Sequence, residues 1–282
     1  MANFIQYDTL VLSGGGTKGF LHLGAVQCAL DMNLIHNVKT YIGTSVGSII
    51  NYLLAIGYTP MELMVEVHLS KLFEKVPGVN LVAMINGNGA ISFNILMEAL
   101  EKLTLEKIGR FVTLGDLKKL YGKTLICTTY NMTTSQLEYL SPDTYPDIPC
   151  LTAIKMSSNL PLVFERFKYM DSYYIDGGIA EHFPILQAEQ WGEHVLGINN
   201  ILNPQTMKDT PDTGIVDYLI KILQIQGNYM IKEKIKLATP KSTIVCVTTG
   251  DLRNPMDFNM KTKSMLDLFS LGYEQFRNFM EK

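Results

Sequence analysis

A serine between two glycines is the residue of this 282-residue sequence best suited to covalent chemistry. Residues 43–47 fit the pattern G-x-S-x-G, in which a strand turns sharply into a helix and the serine hydroxyl stands clear of the backbone. Ser45 is then a nucleophile. Gly43 and Gly47 flank it because a Cβ at either position would collide with the neighbouring strand or helix. Apolar residues before the turn, and an apolar stripe at helical spacing after it, predict the strand and helix that this turn requires.

A glycine-rich turn lies upstream of this serine. Apolar residues 10–12 predict a strand, and residues 14–19 (Gly-Gly-Gly-Thr-Lys-Gly) connect it to a helix. Backbone N–H groups at Gly14, Gly15 and Gly16 can point into a common space at the N-terminus of that helix, where negative charge is favoured. The sequence therefore predicts an oxyanion site beside the nucleophile. Gly19, with Gly24, is expected to let the helix approach the sheet closely.

The composition is that of a large globular chain without the features of a nucleic-acid-binding protein. Hydrophobic residues make up 47% of the chain and charged residues 18%, which is enough for a sizeable core. The formal charge of −3 and the lack of basic clusters interleaved with aromatic residues argue against nucleic acid as a partner. The N-terminus has no basic region followed by an uninterrupted apolar run, so we expect a cytoplasmic protein, with peripheral contact to membranes as an option.

Four cysteines occur without a C-x-x-C pair or a zinc-like spacing with histidine. We expect all four to be buried or partly buried free thiols in a reducing compartment: Cys28, Cys127, Cys150 and Cys246.

One uncharged stretch, residues 40–61, is long enough to cross a bilayer. It is rich in glycine, serine and threonine and also contains Asn51, which is polar for a membrane span. A buried strand followed by a buried helix explains the same pattern better.

Strand and helix patterns alternate along the chain, which predicts a three-layer α/β fold with a mainly parallel central sheet and helices on both faces. We expect one domain over residues 1–282, with the motif-bearing core at residues 8–200 and a helical and strand extension at residues 201–282.

Other segments have less regular patterns. Residues 123–140 predict a β-hairpin, residues 169–175 a strand, and residues 199–213 a polar surface loop. Apolar residues 73–91 fit either a mobile cap over the site that meets lipid or a packed satellite of the core.

Three motifs in a fixed order resemble the signature of the patatin-like phospholipases. They are the glycine-rich residues 12–19, the serine turn at residues 43–47 and the sequence Asp176-Gly177-Gly178. Residues 156–164, which begin Met-Ser-Ser-Asn-Leu-Pro, also resemble that family, and the similarity covers roughly residues 8–200. This chain has Ser13 where the family often has Asp, and Lys18 where it often has Arg. The lysine is expected to alter how the loop is braced, because an ammonium and a guanidinium fork bond differently.

The resemblance implies a serine–aspartate dyad without histidine that acts on acyl esters of lipids. Ser45 is then the nucleophile, Asp176 activates it, and amides around Gly14, Gly15 and Gly16 hold the oxyanion. The remaining motif residues support these groups: Lys18, Gly19, Gly43, Gly47, Gly177 and Gly178. The predicted substrate is a phospholipid or another acyl-ester lipid, cleaved in the manner of a phospholipase A, and we expect neither a metal nor an organic cofactor.

The chemistry makes one demand on the environment of the aspartate. Ser45 Oγ attacks the ester carbonyl while Asp176 accepts its proton, and water later hydrolyses the acyl-enzyme. An aspartate with its ordinary pKa of about 4 is a poor base for a hydroxyl. Burial must therefore raise the pKa of Asp176, or the oxyanion site must carry more of the catalysis.

Three alternatives stay open. Gly14, Gly16 and Gly19 also satisfy the dinucleotide-binding pattern G-x-G-x-x-G, although the acidic residue expected at the end of the second strand is missing. His182 or His194 follows Asp176 and fits the chain order of an α/β-hydrolase triad. A catalytically idle module that keeps the fold and binds lipid or a partner is the third.

Overall fold

The chain alternates between strands and helices around one sheet. The structure is a computed structural model that describes residues 5–70, 89, 91–201, 215–249 and 260–282. The strands are β1 (Thr9–Leu12), β2 (Thr40–Thr44), β3 (Thr124–Asn131), β4 (Gln136–Leu140), β5 (Phe167–Tyr169), β6 (Ser172–Asp176), β7 (Val195–Ile201) and β8 (Ser242–Thr248). The helices are α1 (Gly19–Asp31), α2 (Val46–Ala55), α3 (Pro60–Ser70), α4 (Asn94–Ile108), α5 (Leu114–Tyr121), α6 (Cys150–Ser158), α7 (Ile185–Ala188), α8 (Ile215–Leu237) and α9 (Thr262–Met280).

The central sheet is mostly parallel, as predicted. Its order is β5-β6-β3-β2-β1-β7-β8, and β4 also pairs with β3. Neighbours from β3 through β8 run parallel, whereas β4 and β6 are antiparallel to β3, and β5 is antiparallel to β6. The predicted hairpin is formed by β3 and β4.

Helices cover both faces of the sheet, which confirms the predicted layers. Strand β1 is buried throughout, so its side chains enter two different cores. Leu10 and Leu12 join the core formed with α1, α2 and α9, whereas Val11 joins a second core with Ile185 of α7 and Ile231 of α8. The alternation of side chains along a strand accounts for this division.

Two glycines allow α1 and α9 to touch through their backbones. A Cβ on Gly24 would lie 1.9 Å from the Phe269 carbonyl oxygen, and one on Gly272 would lie 2.1 Å from the Leu21 carbonyl oxygen. The expectation that Gly24 and Gly19 bring α1 close to the sheet is therefore wrong. Gly24 faces α9, and a Cβ on Gly19 would lie 2.6 Å from the Val46 side chain of α2.

Strand β7 includes two residues that the sequence assigns to a loop. Asn199 and Asn200, assigned from sequence to a surface loop, are buried within it. Strand β8 pairs with β7 through Ile201, so the backbone groups of these polar residues have partners inside the protein. The single strand predicted at residues 169–175 is divided between β5 and β6, because the chain turns at Met170, where φ is 49°.

The uncharged residues 40–61 form β2, α2 and the start of α3, with most side chains buried. No single helix of the described chain is long and apolar enough to cross a membrane, although α2 and α3 meet the length and composition limits together, with a bend of 114° between them. Apart from residues 89 and 91, the predicted cap at residues 73–91 lies outside the described residues.

All four cysteines are free thiols. Cys28, Cys127 and Cys150 are buried as expected, but Cys246 is exposed on β8, the last strand of the sheet.

Candidate active site

Ser45 occupies a strained turn between β2 and α2. Its φ of 55° and ψ of −125° lie where residues other than glycine are rarely found. A Cβ on Gly43 would lie 2.5 Å from the Gly47 carbonyl carbon, and one on Gly47 would lie 2.2 Å from the Leu12 carbonyl oxygen. Both flanking glycines are therefore required by backbone contacts, and the turn has the geometry of a nucleophile elbow.

The register of three strands brings Asp176 to this serine. Strand β2 runs parallel to β3 and ends with Thr44 opposite Thr128. Strand β6 is antiparallel to β3 and ends with Asp176 opposite Thr129. The two strand ends thus meet at neighbouring β3 residues, and the Ser45 side chain lies close enough to the Asp176 carboxylate to lower its pKa.

Asp176 is a buried carboxylate with an altered acidity. The Gly178 N–H donates to Asp176 Oδ1 at 2.6 Å. Burial raises the pKa of Asp176 to about 6, although the Ser45 side chain and the Gly178 N–H favour the ionised form. A raised pKa is one of the two conditions under which the sequence predicts that Asp176 can act on a hydroxyl. Gly177 is needed for the close approach of this turn to β3, because a Cβ there would lie 2.2 Å from the Thr128 carbonyl oxygen.

The last turn of α6 and the residue after it hold the backbones of Ser45 and Asp176. The Ser45 N–H donates to Ser157 Oγ at 3.0 Å. The Asp176 N–H donates to the Asn159 carbonyl at 3.0 Å. These bonds give a physical reason for the family-like residues 156–164. Ser157 itself was not identified from the sequence, because only the tertiary contact shows which serine of this segment reaches the elbow.

Ser48 belongs to the helix rather than to the reacting groups. Its Oγ donates to the Ser45 carbonyl at 2.6 Å, a local bond that ties the first turn of α2 to the elbow.

In the glycine loop two backbone N–H groups are unbonded within the described chain, and a third is hydrogen-bonded. The Gly14 N–H donates to the His182 carbonyl at 3.1 Å, so it is occupied. Gly15 has a φ of 155° and Gly16 a φ of 55°, and within the described chain neither N–H has a hydrogen-bond partner. A Cβ on Gly14 would lie 3.6 Å from Ser45 Cβ, so the loop is adjacent to Ser45. The expectation for Gly14 as an amide donor is therefore wrong in this conformation, whereas Gly15 and Gly16 are available.

Asn200 fastens this loop to β7, and the sequence analysis missed it. Its N–H donates to Ser13 Oγ at 2.9 Å, and its Nδ2 lies 3.4 Å from the Gly14 carbonyl and 3.5 Å from the Lys18 carbonyl. A sequence signal was present, since polar residues at the carboxyl end of a buried parallel strand lie where ligands bind in α/β sheets.

Lys18 is a buried cation beside the loop. Only 4% of its surface is exposed, and within the described residues it forms no ion pair. Burial lowers the pKa of Lys18 to about 8. Its charge also helps to lower the pKa of His182.

Of the histidines, His182 is the one that lines the site. A Cβ on Gly14 would lie 3.0 Å from its Cε1. Burial, followed by the charge of Lys18, lowers the pKa of His182 to about 4, so its ring is neutral near pH 7. No hydrogen bond joins its ring to Asp176 or Ser45 in the described structure.

His194 lies at the other end of the sheet. It precedes β7, where its N–H bonds to Asp8 and its carbonyl accepts from Thr9. Neither His182 nor His194 therefore completes the triad that chain order allowed. His22 is buried against the loop, with Nε2 3.4 Å from Ser13 Oγ.

The described residues contain no group of three or more histidine, cysteine or acidic side chains that could hold a metal ion.

Comparison with known proteins identifies the family. The sequence model described as patatin-like phospholipase matches residues 10–189. The chain belongs to the patatin-like phospholipase family. The matched range contains the glycine loop, the Ser45 elbow and Asp176.

Viral and bacterial proteins are similar to this patatin-like chain. It is 35% identical over 185 residues to the probable lipid hydrolase 463L of Invertebrate iridescent virus 6, a match that covers 64% of this chain and 62% of that protein. It is 27% identical over 278 residues to an uncharacterised protein of Acanthamoeba polyphaga mimivirus, covering 95% of this chain and 91% of that one. The crystal structure of VipD from Legionella pneumophila shares the fold, with a TM-score of 0.56 at 17% identity, covering 98% of this chain and 67% of that chain.

Proposed function

We propose that this patatin-like protein is a lipid acyl hydrolase of the phospholipase A type that works through a Ser45–Asp176 dyad. Membership of the family and the similarity to a probable lipid hydrolase support lipid hydrolysis. The observation that carries the dyad is the strand register that ends β2 and β6 on adjacent residues of β3, which brings Ser45 beside a buried Asp176 whose pKa is about 6. A carboxylate in this range is mostly ionised at neutral pH and still basic enough to take a hydroxyl proton.

The reaction has two steps. Ser45 Oγ forms a bond to the ester carbonyl carbon while its proton passes to Asp176, and the leaving alcohol then takes that proton as the ester bond breaks. A water molecule attacks the acyl-enzyme, gives a proton to Asp176 and releases the fatty acid, after which the proton returns to Ser45 Oγ. The Gly15 and Gly16 amides, with the dipole of α1 behind them, stabilise the negative oxygen in both steps.

The environment favours charge development at the serine. The elbow fixes the backbone of Ser45, and Ser157 holds its N–H, so the hydroxyl is attached to a rigid turn. His182 is neutral, so it adds no positive charge that would lower the basicity of Asp176. We assign His182 to the wall of the site, where its carbonyl also fixes Gly14.

Replacement of Ser45 tests the function. We expect Ser45→Ala to lose at least about a thousandfold in hydrolysis of phospholipid, because the substitution removes the proposed nucleophile. Lipid products of the wild type and the variant are compared by mass spectrometry, and labelling with a fluorophosphonate is followed on the same samples. Release of fatty acid at the wild-type rate by Ser45→Ala would exclude the dyad. A wild-type protein that resists the fluorophosphonate and retains nucleotide would favour a nucleotide-binding function instead.

A further inference from the structure

Helix α8 carries an exposed apolar stripe along one face. The stripe consists of Tyr218, Ile222, Ile225 and Tyr229, which are 44%, 44%, 58% and 72% exposed. Their spacing of four, three and four residues places all of them on the same side of the helix. A continuous line of large apolar side chains in water is unusual for a protein surface and marks an interaction site.

The opposite face of α8 is fixed to the walls of the active site. Ile231 is buried in the second core. Lys234 forms an ion pair with Glu181, which also lies within hydrogen-bond distance of the Tyr139 hydroxyl, at 3.4 Å. A Cβ on Gly227 would lie 3.8 Å from His182 Cβ. Glu181 and His182 closely follow the Asp176-Gly177-Gly178 turn, so the apolar stripe is on the outer side of a helix that borders the site.

We infer that α8 is the element by which this protein docks on a phospholipid surface, with the helix axis lying along the membrane. This inference rests on the proposed function, since a lipid hydrolase must meet the surface that contains its substrate. The stripe combines isoleucines with tyrosines. Aliphatic side chains can enter the acyl-chain region, and the amphipathic rings of tyrosine favour the boundary between headgroups and acyl chains.

The charges at the end of α8 favour an anionic surface. Lys232 and Lys236 occupy the next two positions at the same helical spacing, and both are exposed. Lys236 pairs with Glu233 on the surface, whereas Lys232 has no ion-pair partner among the described residues. Lysines beside an apolar stripe attract anionic headgroups and leave the apolar side chains to enter the interface.

Vesicle binding tests the surface directly. The protein is the Ser45→Ala variant, so that binding is measured without hydrolysis, and the vesicles are phosphatidylcholine with about 30 mol % phosphatidylglycerol. We expect Ile222→Glu/Ile225→Glu to weaken binding by about tenfold or more, because two charges would enter the apolar boundary. Lys232→Gln/Lys236→Gln should weaken binding to these vesicles more than binding to phosphatidylcholine alone.

Helix α3 supplies a matched control. It also exposes three apolar residues at a spacing of four, Met61, Val65 and Leu69, which are 51%, 51% and 67% exposed. However, α3 packs into the first core, on the other face of the sheet from Ile231. Met61→Glu/Val65→Glu should therefore bind vesicles like the parent protein. Equal binding by the α8 double variant and the parent, or loss of binding in the α3 variant alone, would overturn the inference.

A conservative substitution tests contact without adding charge. Trp191 is the only tryptophan of the chain, so Trp191→Phe/Tyr229→Trp places a single fluorophore on the stripe. Vesicles should shift its emission to the blue, and brominated acyl chains should quench it. An absence of quenching would overturn lipid docking. An oligomer that is lost with the α8 substitutions, while vesicle binding stays unchanged, would instead assign the stripe to protein contact and would also overturn it.

These readouts are separate from the proposed catalysis. Binding that depends on the stripe, in a protein that proves to release no fatty acid, would support α8 as a lipid-docking element and remove the proposed activity. In an active enzyme, the ratio of the rate on vesicles to the rate on a soluble short-chain ester should fall about tenfold in Ile222→Glu/Ile225→Glu, in step with its vesicle binding.

Discussion

The turns after β1 and β2 have the same architecture and opposite chemistry. Each joins a buried parallel strand to a helix, and the two strands are neighbours. The turn after β1 consists of three glycines, which have no side chains, and the N–H groups of Gly15 and Gly16 have no partners in the described chain. After β2 the backbone groups of Ser45 are all bonded, to Ser157 and Ser48, and its side chain is presented instead. One unit offers backbone donors, and the other offers the proposed nucleophile.

The difference shows that a strand–turn–helix unit acquires its chemistry from the groups that it leaves unpaired. Strain and hydrogen bonding are arranged around that group in both turns. Each of the following substitutions removes one part of the arrangement, and together they test whether the two turns have the separate roles that the structure indicates.

The largest effect on the rate is expected when Asp176, the proposed partner of Ser45, is replaced. Asp176→Asn keeps the acceptor for the Gly178 N–H but cannot take a proton, so the rate of ester cleavage should fall about a thousandfold or more. The rate is measured on a soluble ester to avoid effects of membrane binding. Asp171→Asn, on the turn between β5 and β6, is the matched control and should keep its rate. A rate close to that of the wild type in Asp176→Asn would remove the aspartate from the mechanism.

A smaller loss is expected from the glycine turn. Gly16 has a φ of 55°, so Gly16→Ala strains the loop and disturbs the alignment of the two amides. The rate constant kcat should fall about a hundredfold, the effect of losing one oxyanion donor. Gly122→Ala is the matched control, because Gly122 also has a positive φ, 65°, and no atom lies near its missing Cβ. If both variants lose activity in proportion to their stability, the loop has no special role.

Ser157→Ala should have a more moderate effect on the serine turn. It removes the acceptor of the Ser45 N–H but leaves both reacting groups in place. The loss of one positioning hydrogen bond should reduce kcat about tenfold with little change in KM. Ser157→Thr, which restores a hydroxyl, should recover part of the rate. A higher KM with an unchanged kcat would contradict a positioning role.

The smallest effect concerns stability rather than rate. The pKa of Asp176 is raised from its ordinary value to about 6 in the folded protein, so the unfolded chain loses its proton at lower pH than the folded one. Ionisation of this group therefore lowers the stability of the wild type as the pH rises from about 4 to about 6. Asp176→Asn avoids this penalty. Its Tm should exceed that of the wild type by a few degrees at about pH 8, and the gap should close at about pH 4. A gap that is independent of pH would show that burial does not govern this carboxyl group.

Local sequence was sufficient for the two turns, since a nucleophile elbow and a glycine loop are formed by consecutive residues. Gly43, Gly47 and Ser45 identified the elbow because its steric demands fall within five positions. A raised pKa of Asp176 was one of the two alternatives that the chemistry allowed, and burial raises it.

Residues whose partners lie far along the chain were not accessible in this way. Ser157 reaches Ser45 across 112 positions, and Asn200 reaches Ser13 across 187. The Gly14 amide looked equivalent to its neighbours until the His182 carbonyl was found bonded to it. Asn199 and Asn200 looked like loop residues, because polarity alone does not reveal that a neighbouring strand satisfies their backbone.

The sequence by itself therefore determined the chemical groups, the alternation of strands and helices, and the turns that present the reacting atoms. Only the tertiary structure decided which of these groups meet, since Asp176 reaches Ser45 through the register of β2 and β6 on adjacent residues of β3. It also decided which face of α8 is left uncovered. The physical reason is that side-chain spacing fixes local geometry, whereas contact between distant segments depends on strand pairing and on which surfaces the cores bury.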